Sequence, residues 1–436
     1  MKRIIALILA ALMVLGLCAC QNTTTEIVST VNSASCEHSF KAATCTEAAK
    51  CELCGAQGEE AALGHKFSGE LCTNAGCTEK NPDWVNWFTS GNVSITKDEV
   101  AQIVSMQYKK PKNVIVMIGD GMGAVDIALT EKHNKEKCFD FGLVLNQIKN
   151  TGFATTYSAN SKITDSAASG TALATGIKTN NGHIGKDANG GDILNASELA
   201  RQLGKKVGIV TNDSITGATP SAFTVHNISR DNTEELAKSF VKFMPDVLIG
   251  QGYTDFAMLD LSAALFATDI LKYNSVLNKD PKCEKPFVGF FSEDILINEN
   301  NTLAYVTELA LNRLSKNNDK GFFLMVENAA TDKAGHNNII KGKVNGVVTF
   351  DRAVAVVLKF MKENPDTLLV ITSDHETGGV LMSKDDKLTN LLFTSNGHTG
   401  TDVRTFAVGY GSEYFNGKTV DNTDVAKFVH DAIKGK

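Results

Sequence analysis

The chain has 436 residues, of which 43% are hydrophobic and 21% are charged. This length and apolar content suffice for one large hydrophobic core or two smaller ones, and they exclude a wholly disordered chain. The net charge of −6 at pH 7 provides no broad basic surface, so a nucleic-acid partner is not expected.

The first twenty residues predict export. A basic start is followed by an almost unbroken apolar run from Ile4 to Leu17, which is shorter than the ~20 residues of a membrane-spanning helix. The run ends in a Leu-Cys-Ala-Cys sequence that resembles a bacterial lipoprotein box, with cleavage before Cys20 and a lipid on that cysteine. Residues 1–20 are therefore interpreted as a lipoprotein signal peptide. The expected location is extracytoplasmic, with only a lipid anchor in the cell membrane. The alternative is a plain signal peptide with incidental cysteines.

Residues 21–80 are predicted to form a Thr/Ser-rich tether followed by a Cys/His-rich module. So small a module needs covalent or metal cross-links, because it cannot build a sufficient apolar core. The spacing of Cys51 and Cys54 is that of a zinc knuckle, whereas an oxidising compartment permits disulfides. Both possibilities remain open. The candidate residues are Cys36, His38, Cys45, Cys51, Cys54, His65, Cys72 and Cys77.

Residues 81–436 have the composition of a globular catalytic domain. Four short apolar runs predict buried parallel strands: Val114–Ile118, Val207–Val210, Phe322–Val326 and Leu368–Ile371. Helix-like stretches alternate with them: Ala196–Leu203, Thr233–Phe243, Ala304–Leu314 and Val347–Lys362. This alternation predicts an α/β fold, a three-layer sandwich with a mostly parallel central sheet and helices on both faces.

Polar residues follow each of the four predicted strands. In open α/β sheets ligands bind outside the carboxyl ends of the strands, so these side chains should converge on one crevice. Crowded carboxylates repel one another unless cations neutralise them, which predicts metal ions there. The side chains concerned are Asp120, Thr219, Glu327, Asp332, His336, Asp374 and His375.

Ser166 is the candidate nucleophile. It follows Asp165 at the start of a helix of small residues. The positive end of the helix dipole and the free backbone N–H groups there favour an alkoxide and a bound phosphate. Seen alone, the same segment is also compatible with a simple helix cap.

Together these motifs resemble the alkaline phosphatase family over roughly residues 111–410. The matching segments are Asp120-Gly-Met-Gly123, Asp165-Ser166-Ala-Ala-Ser, Gly176-Ile-Lys-Thr-Asn-Asn-Gly182, Ala218-Thr219-Pro220 with Arg230 beyond, Glu327 through Asp332-Lys333 to His336, Asp374-His375 and His398-Thr-Gly400. The resemblance implies hydrolysis of small phosphate monoesters through a phosphoserine, with two Zn²⁺ and one Mg²⁺ as cofactors. It also makes a homodimer possible.

The resemblance further implies a role for each matching residue. Ser166 would be the phosphorylated nucleophile, Arg230 would clamp two phosphate oxygens, and Lys333 would lie behind the phosphate. The implied ligand sets are Asp332, His336 and His398 for one zinc, Asp120, Asp374 and His375 for the other, and Glu327 and Thr219 with bridging Asp120 for magnesium. Imidazole with carboxylate suits zinc, whereas an all-oxygen set suits magnesium, so the chemistry of the residues agrees with this division.

One departure concerns the magnesium site. Many family members carry Asp or His two residues before the Thr-Pro pair, where this chain has Gly217. The site is therefore expected to bind magnesium weakly, and a carboxylate introduced at 217 is expected to strengthen it.

Two other functions are compatible with parts of the pattern. One is a different phosphoesterase or phosphomutase of the same metallophosphatase superfamily, against which the combination of Ser166, Arg230 and Thr219 argues. The other is a non-catalytic, metal-binding surface lipoprotein, against which the intact nucleophile motif argues.

Overall fold

The structure is a computed structural model that describes residues 40–44, 46–51, 57, 62, 67–68, 71–72, 93–133, 137–268, 284–291, 302–382, 388–389 and 392–436. The chain divides into two compact units, residues 1–81 and residues 82–436. Among the described residues, no helix combines the length and the apolar composition needed to cross a bilayer.

The described part of the first unit contains two small antiparallel pairs. Strand β1 (Phe40–Lys41) pairs with β2 (Lys50–Cys51), and β3 (Phe67–Ser68) pairs with β4 (Leu71–Cys72). Cys51 and Cys72 thus lie in strands. The other predicted zinc or disulfide residues, and the predicted lipidation site Cys20, lie outside the described residues. The choice between zinc and disulfides therefore stays open, and the tether and signal peptide stay predictions.

The second unit is built on a large sheet. Its strands are β5 (Asn113–Gly119), β6 (Asn150–Thr155), β7 (Lys206–Ser214), β8 (Val247–Gln251), β9 (Leu265–Ala267), β10 (Phe287–Phe290), β11 (Phe322–Asn328), β12 (Thr367–Thr372), β15 (Val403–Val408) and β16 (Thr419–Asp421). A separate short pair comprises β13 (Glu376–Thr377) and β14 (His398–Thr399). Within the described residues the sheet order is β16-β6-β15-β12-β5-β11-β7-β8-β10-β9.

The sheet is mostly parallel, as predicted. Strand β5 pairs in parallel with both β11 and β12, and β7 pairs in parallel with β11 and β8. Strand β15 is the exception, because it runs antiparallel to both of its neighbours, β12 and β6. The four predicted apolar runs are β5, β7, β11 and β12, so their interpretation as central strands is confirmed.

Helices cover both faces of the sheet. In chain order they are α1 (Lys97–Val104), α2 (Ala124–His133), α3 (Ser166–Thr175), α4 (Ala196–Gln202), α5 (Ala218–Ala222), α6 (Thr233–Phe243), α7 (Tyr253–Phe256), α8 (Thr302–Ser315), α9 (Ala330–His336), α10 (Ile340–Glu363) and α11 (Asn422–Ile433). The four predicted helices are α4, α6, α8 and α10. The last begins at Ile340, before the predicted start at Val347.

Two hydrophobic cores lie on opposite sides of the sheet. Along β5, Ile115 and Met117 face the core formed with α1, α8 and α10. The alternate residues Val116 and Ile118 face the core formed with α3, α4, α6 and α11. Because successive side chains of a strand point to opposite faces, a strand buried on both sides is apolar throughout. This explains the unbroken apolar runs and confirms the three-layer architecture.

Candidate metal centre and active site

The central strands end at one edge of the sheet and place polar side chains there. Ile118 of β5 pairs with Glu327 of β11 and with Thr372 of β12. Asp120 follows β5 by one residue, and Asp374 follows β12 by two. In-register parallel strands therefore deliver three carboxylates to the same place, as the sequence predicts.

The loop after β5 approaches helix α9 very closely. Gly121 has a φ of +70°, and a Cβ there would lie 2.6 Å from the Cα of Asp332. Only glycine combines this left-handed backbone with such a close approach. The contact packs the start of α9 against the loop that carries Asp120, and so brings Asp332 beside it.

His398 reaches the site through the short β13–β14 pair. Its Cα partner in that pair is Thr377, two residues beyond His375. Because the pair is antiparallel, it brings residues 398–399 back beside residues 376–377, close to the end of β12. His398 and His375 stack with ring centroids 3.5 Å apart. His398 thus lies in a short two-stranded sheet beside the end of β12.

Asp332, His336 and His398 form the first candidate metal-binding group. The Nε2 atoms of the two histidines are 3.1 Å apart, and they lie 3.3 Å and 3.6 Å from Oδ1 of Asp332. Each histidine places its Nδ1 against a backbone carbonyl, of Asn396 at 2.7 Å and of Thr164 at 2.9 Å. Nδ1 therefore carries the proton, and both Nε2 lone pairs point at the carboxylate. Lone pairs that face each other in this way are the arrangement expected of ligands that share one cation.

Asp120, Asp332 and His375 form the second candidate group. Asp374, which the resemblance implies as a ligand in place of Asp332, lies beside them. Nε2 of His375 lies 3.1 Å from Oδ2 of Asp374 and 3.6 Å from Oδ1 of Asp120. Nδ1 of His375 donates to the hydroxyl of Thr377 at 3.1 Å, because that hydroxyl donates its own proton to Oδ1 of Asp332 at 2.6 Å. The Nε2 lone pair of His375 is thus turned toward two carboxylates. Thr377 links the two groups, and sequence reasoning missed it.

Several buried oxygens at the site lack hydrogen bonds. Among the described residues, Oδ1 of Asp120, Oδ2 of Asp374 and Oγ1 of Thr219 are buried without a hydrogen-bond partner of normal geometry. By contrast, Oδ1 of Asp374 accepts the backbone N–H groups of Gly121 and His375. Buried polar atoms are nearly always satisfied, so oxygens held in place but left unpaired are those expected of metal ligands. The donor set therefore fits metal ions.

The electrostatics of the site indicate a deficit of positive charge. Burial and the carboxylates of Asp374 and Asp332 raise the pKa of Asp120 well above its usual range. Burial also raises the pKa of Glu327, to about 8. For Asp374, burial acts in the same direction, but the charge and hydrogen bond of His375, the charge of His398 and the N–H of Gly121 together outweigh it and lower the pKa to about 2. Protonation of one imidazole would not neutralise all these carboxylates, whereas metal ions would.

Ser166 is the first residue of α3, and Asp165 caps that helix by accepting the N–H of Ala168 at 2.9 Å. The hydroxyl oxygen of Ser166 lies 3.0 Å from Nε2 of His375, so it borders the second metal-binding group. The side chain is buried and sits at the positive end of the helix. This arrangement suits a nucleophile beside a cation.

Arg230 and Lys333 each pair with a carboxylate that sequence reasoning did not assign a role. Nη1 of Arg230 lies 3.3 Å from Oδ2 of Asp165, the helix-capping residue. Nζ of Lys333 lies 2.9 Å from Oδ2 of Asp213, at the end of β7. Asp213 could have been noticed, because it follows the predicted strand Val207–Val210 just as the other site carboxylates follow theirs.

The backbone around Gly217 leaves little space for a side chain. A Cβ there would lie 2.8 Å from the carbonyl oxygen of Ser214. A side chain at 217 therefore requires a shift of the backbone between β7 and α5. The expectation that a carboxylate at this position would strengthen the magnesium site therefore depends on that shift. Asp213 places a carboxylate nearby instead, and its charge contributes to the raised pKa of Glu327.

All the predicted catalytic-domain residues lie at the carboxyl edge of the sheet. They are Ser166, Arg230, Lys333, Asp120, Thr219, Glu327, Asp332, His336, Asp374, His375 and His398. Of the oxygen set predicted for magnesium, Glu327 accepts a hydrogen bond from Thr211 at 2.5 Å. The Thr219 hydroxyl lies close enough to the Glu327 carboxylate to lower its pKa, although burial dominates.

A mostly parallel α/β sheet with a serine, carboxylates and imidazoles gathered at its carboxyl edge is the arrangement expected of a hydrolase that uses metal ions. The family model described as "Alkaline phosphatase" matches residues 111–271 and 264–390. The chain belongs to the alkaline phosphatase family. This membership supports a phosphatase enzyme that acts on phosphate monoesters.

Known proteins agree with this assignment. Alkaline phosphatase 3 of Bacillus subtilis is 30% identical over 74% of this chain and 89% of its own length. Alkaline phosphatase 4 of the same organism is 37% identical, and the chain spans 62% of its length. The structure of alkaline phosphatase from the Antarctic bacterium TAB5 aligns with a TM-score of 0.65 and 30% identity, over 75% of this chain and 99% of that one.

Proposed function

We propose that the chain hydrolyses phosphate monoesters to an alcohol and inorganic phosphate through a phosphoserine at Ser166. The observation that carries the proposal is the position of the Ser166 hydroxyl, at a helix N-terminus and 3.0 Å from Nε2 of His375. A nucleophile there lies beside both a candidate metal-binding site and the free backbone N–H groups of the helix N-terminus.

We also propose which residues hold the metals. Asp332, His336 and His398 would hold one zinc ion, and Asp120, Asp374 and His375 the other. Glu327 and Thr219 would hold magnesium with Asp120. A structure of a TAB5 alkaline phosphatase mutant is described as having magnesium bound in its M3 site, which supports a magnesium ion in this family. When bound, the ions would lower the pKa of the attacking oxygen and neutralise charge on the leaving oxygen.

The chain's own residues account for positioning. The Ser166 oxygen attacks phosphorus as the bond to the alcohol oxygen breaks, and the alcohol takes up a proton. A water molecule then attacks the same phosphorus, which breaks the Ser166–phosphate bond and restores the hydroxyl. The guanidinium of Arg230, held by Asp165, binds two phosphate oxygens, since its planar fork matches their geometry. Lys333 adds positive charge behind the phosphate.

The test is the release of nitrophenol from nitrophenyl phosphate by wild type and by Ser166→Ala. Turnover should fall by orders of magnitude, because no other group supplies the covalent step. Ser197→Ala is the matched control, since Ser197 is equally buried but lies on α4, away from the site. Near wild-type turnover by Ser166→Ala, with the same far-ultraviolet circular dichroism, would refute the phosphoserine.

The location is also a proposal. The apolar run and the Cys20 motif support an exported enzyme tied to the membrane by a lipid. Cys20→Ser should move the enzyme from the membrane fraction into the medium, because each buried CH₂ of an acyl chain contributes ~0.8 kcal/mol of membrane affinity. Cys138→Ser is the control, since Cys138 lies within the catalytic unit. Unchanged fractionation of Cys20→Ser would show that Cys20 is not the anchor.

A further inference from the structure

A lysine lies fully buried behind the metal centre. Lys343, on helix α10, has no solvent-exposed side-chain surface. Its ammonium nitrogen lies 3.0 Å from Oδ2 of Asp126 and 3.8 Å from Oε1 of Glu376. Taking an ammonium out of water is costly unless it is paired and hydrogen-bonded. An apolar side chain would fill this position on the helix at lower cost, so the charge calls for an explanation.

The ammonium also binds the two loops that carry the second group of ligands. It donates to the carbonyl of Gly121 at 3.2 Å and, through a shorter hydrogen bond, to the carbonyl of Thr377. Gly121 directly follows Asp120. The hydroxyl of Thr377 accepts a hydrogen bond from Nδ1 of His375 and donates one to Asp332. The Lys343 nitrogen thus binds the backbone at Gly121 and Thr377. These two residues lie next to, or hydrogen-bond, the candidate ligands Asp120, His375 and Asp332, which come from three segments of the chain.

We propose that Lys343 is a positioning residue that fixes the distance between the Gly121 and Thr377 loops and thereby sets the affinity of the metal centre. This inference rests on the zinc centre of the proposed function. Without the ammonium, the two carbonyls have no common donor and the two loops can separate. The ligands Asp120 and His375 would then no longer be held at the spacing that one ion requires.

The test compares Lys343→Met with wild type in two measurements on metal-stripped protein. The first is the zinc dissociation constant, obtained by competition with a chromophoric chelator. The second is the free energy of unfolding of the metal-free protein. We expect the zinc dissociation constant to rise about 10–100-fold, as for the loss of other groups that orient metal ligands.

Asp351→Asn is the matched control. Asp351 is also a fully buried charged residue of α10, but it accepts the backbone N–H groups of Val144 and Leu145, away from the ligand loops. It should lower the free energy of unfolding and leave the zinc dissociation constant unchanged. If Lys343→Met behaves in the same way, Lys343 is merely structural and the proposal is wrong.

A second variant provides a test in case Lys343→Met does not fold. The double variant Lys343→Met/Asp126→Asn removes the ammonium together with its nearest counter-charge, so Asp126 leaves no unpaired buried charge. The amide retains an acceptor for the N–H of Gly123, which Asp126 binds at 2.8 Å. It should show the same loss of zinc affinity, and wild-type affinity would overturn the proposal. Wild-type protein that bound no zinc would instead refute the metal centre itself.

Discussion

The carboxylate of Asp165 contacts both the helix that begins at Ser166 and the side chain of Arg230. Its Oδ1 accepts the N–H of Ala168 and caps that helix, while its Oδ2 lies 3.3 Å from Nη1 of Arg230. Oδ2 also accepts the N–H of Gly182 at 3.0 Å. One side chain therefore helps to position both the proposed nucleophile and the arginine proposed to bind phosphate.

Two separate substitutions of Asp165 distinguish its contact with Arg230 from its role as a helix cap. Asp165→Asn keeps an oxygen for the helix cap but removes the charge that holds Arg230. Inorganic phosphate should then inhibit less strongly, with an inhibition constant roughly 3–10-fold higher, because a partly exposed charge-assisted hydrogen bond contributes about 1 kcal/mol. Asp165→Ala should also lower the free energy of unfolding by about 1 kcal/mol through loss of the cap. Equal inhibition constants in wild type and Asp165→Asn would contradict the role assigned to Oδ2.

The first metal-binding group predicts a defined loss of zinc. His336→Ala and His398→Ala should each lower the zinc content by about one ion per chain, because three protein ligands are the usual minimum for a catalytic zinc site. Atomic absorption on purified protein measures this content. His430→Ala is the control, since His430 only hydrogen-bonds the carbonyl of Ala174. Unchanged zinc in both site variants would contradict the ligand assignment.

Asp213 should influence magnesium activation. Its charge lies beside Lys333 and contributes to the raised pKa of Glu327. Asp213→Asn should raise the magnesium concentration that gives half-maximal activity, by roughly 10-fold, as for other groups outside the immediate ligands. The measurement is a magnesium titration of zinc-reconstituted enzyme.

Asp255→Asn is the control for Asp213. Asp255 accepts a hydrogen bond from Thr216 of the same loop at 2.7 Å but does not contact Lys333. Its variant should leave the magnesium midpoint unchanged. If both variants shift the midpoint equally, the effect belongs to the loop and not to the Asp213 carboxylate.

The pair of His226 and Glu198 predicts a pH-dependent contribution to stability. Nε2 of His226 lies 2.8 Å from Oε1 of Glu198, and its Nδ1 lies 2.7 Å from the carbonyl of Gly185. Burial lowers the pKa of His226, but these partners outweigh it and the pKa is raised. The stabilisation is therefore fully present below the unfolded pKa of His226, about 6.5, and is lost as the pH rises through the folded pKa.

Glu198→Gln tests this contribution. The free energy of unfolding should fall by about 1 kcal/mol at pH 5.5, and by less at pH 9, because the ion pair is lost as the pH rises through the folded pKa of His226. Urea denaturation of the metal-free proteins at the two pH values measures the difference. The backbone N–H of Asn195, which binds the other carboxylate oxygen, keeps its acceptor in the variant. A loss that is the same at both pH values would contradict the ion pair.

The sequence was sufficient to predict the central strands and the polar residues that follow them. The apolar runs within β5, β7, β11 and β12 are buried on both faces, so each run is apolar throughout and is followed by polar residues. Strand β15 gave no such signal, because Arg404 interrupts it and it joins the sheet antiparallel near one edge. Antiparallel pairing also makes the sheet mixed at that edge, which no local pattern indicates.

Long-range contacts account for what the sequence could not predict at the site. The pairing of Lys333 with Asp213 depends on β7 and β11 being neighbours, which strand order alone decides. Lys343 was missed for a different reason. A lysine within a helical stretch usually lies on the solvated face, whereas here the side chain is buried against two carboxylates.

The pairing of β5 with β11 and β12 has a consequence for biosynthesis. These strands are neighbours in space although about half of the chain separates them in sequence. Such non-local pairing makes folding slow, because long loops must close before their contacts form. Neither ligand group is complete until β12 has paired with β5 and the β13–β14 pair has formed. On the proposed export, a chain that crosses the membrane before these strands pair would take up its ions from the metal available outside the cytoplasm.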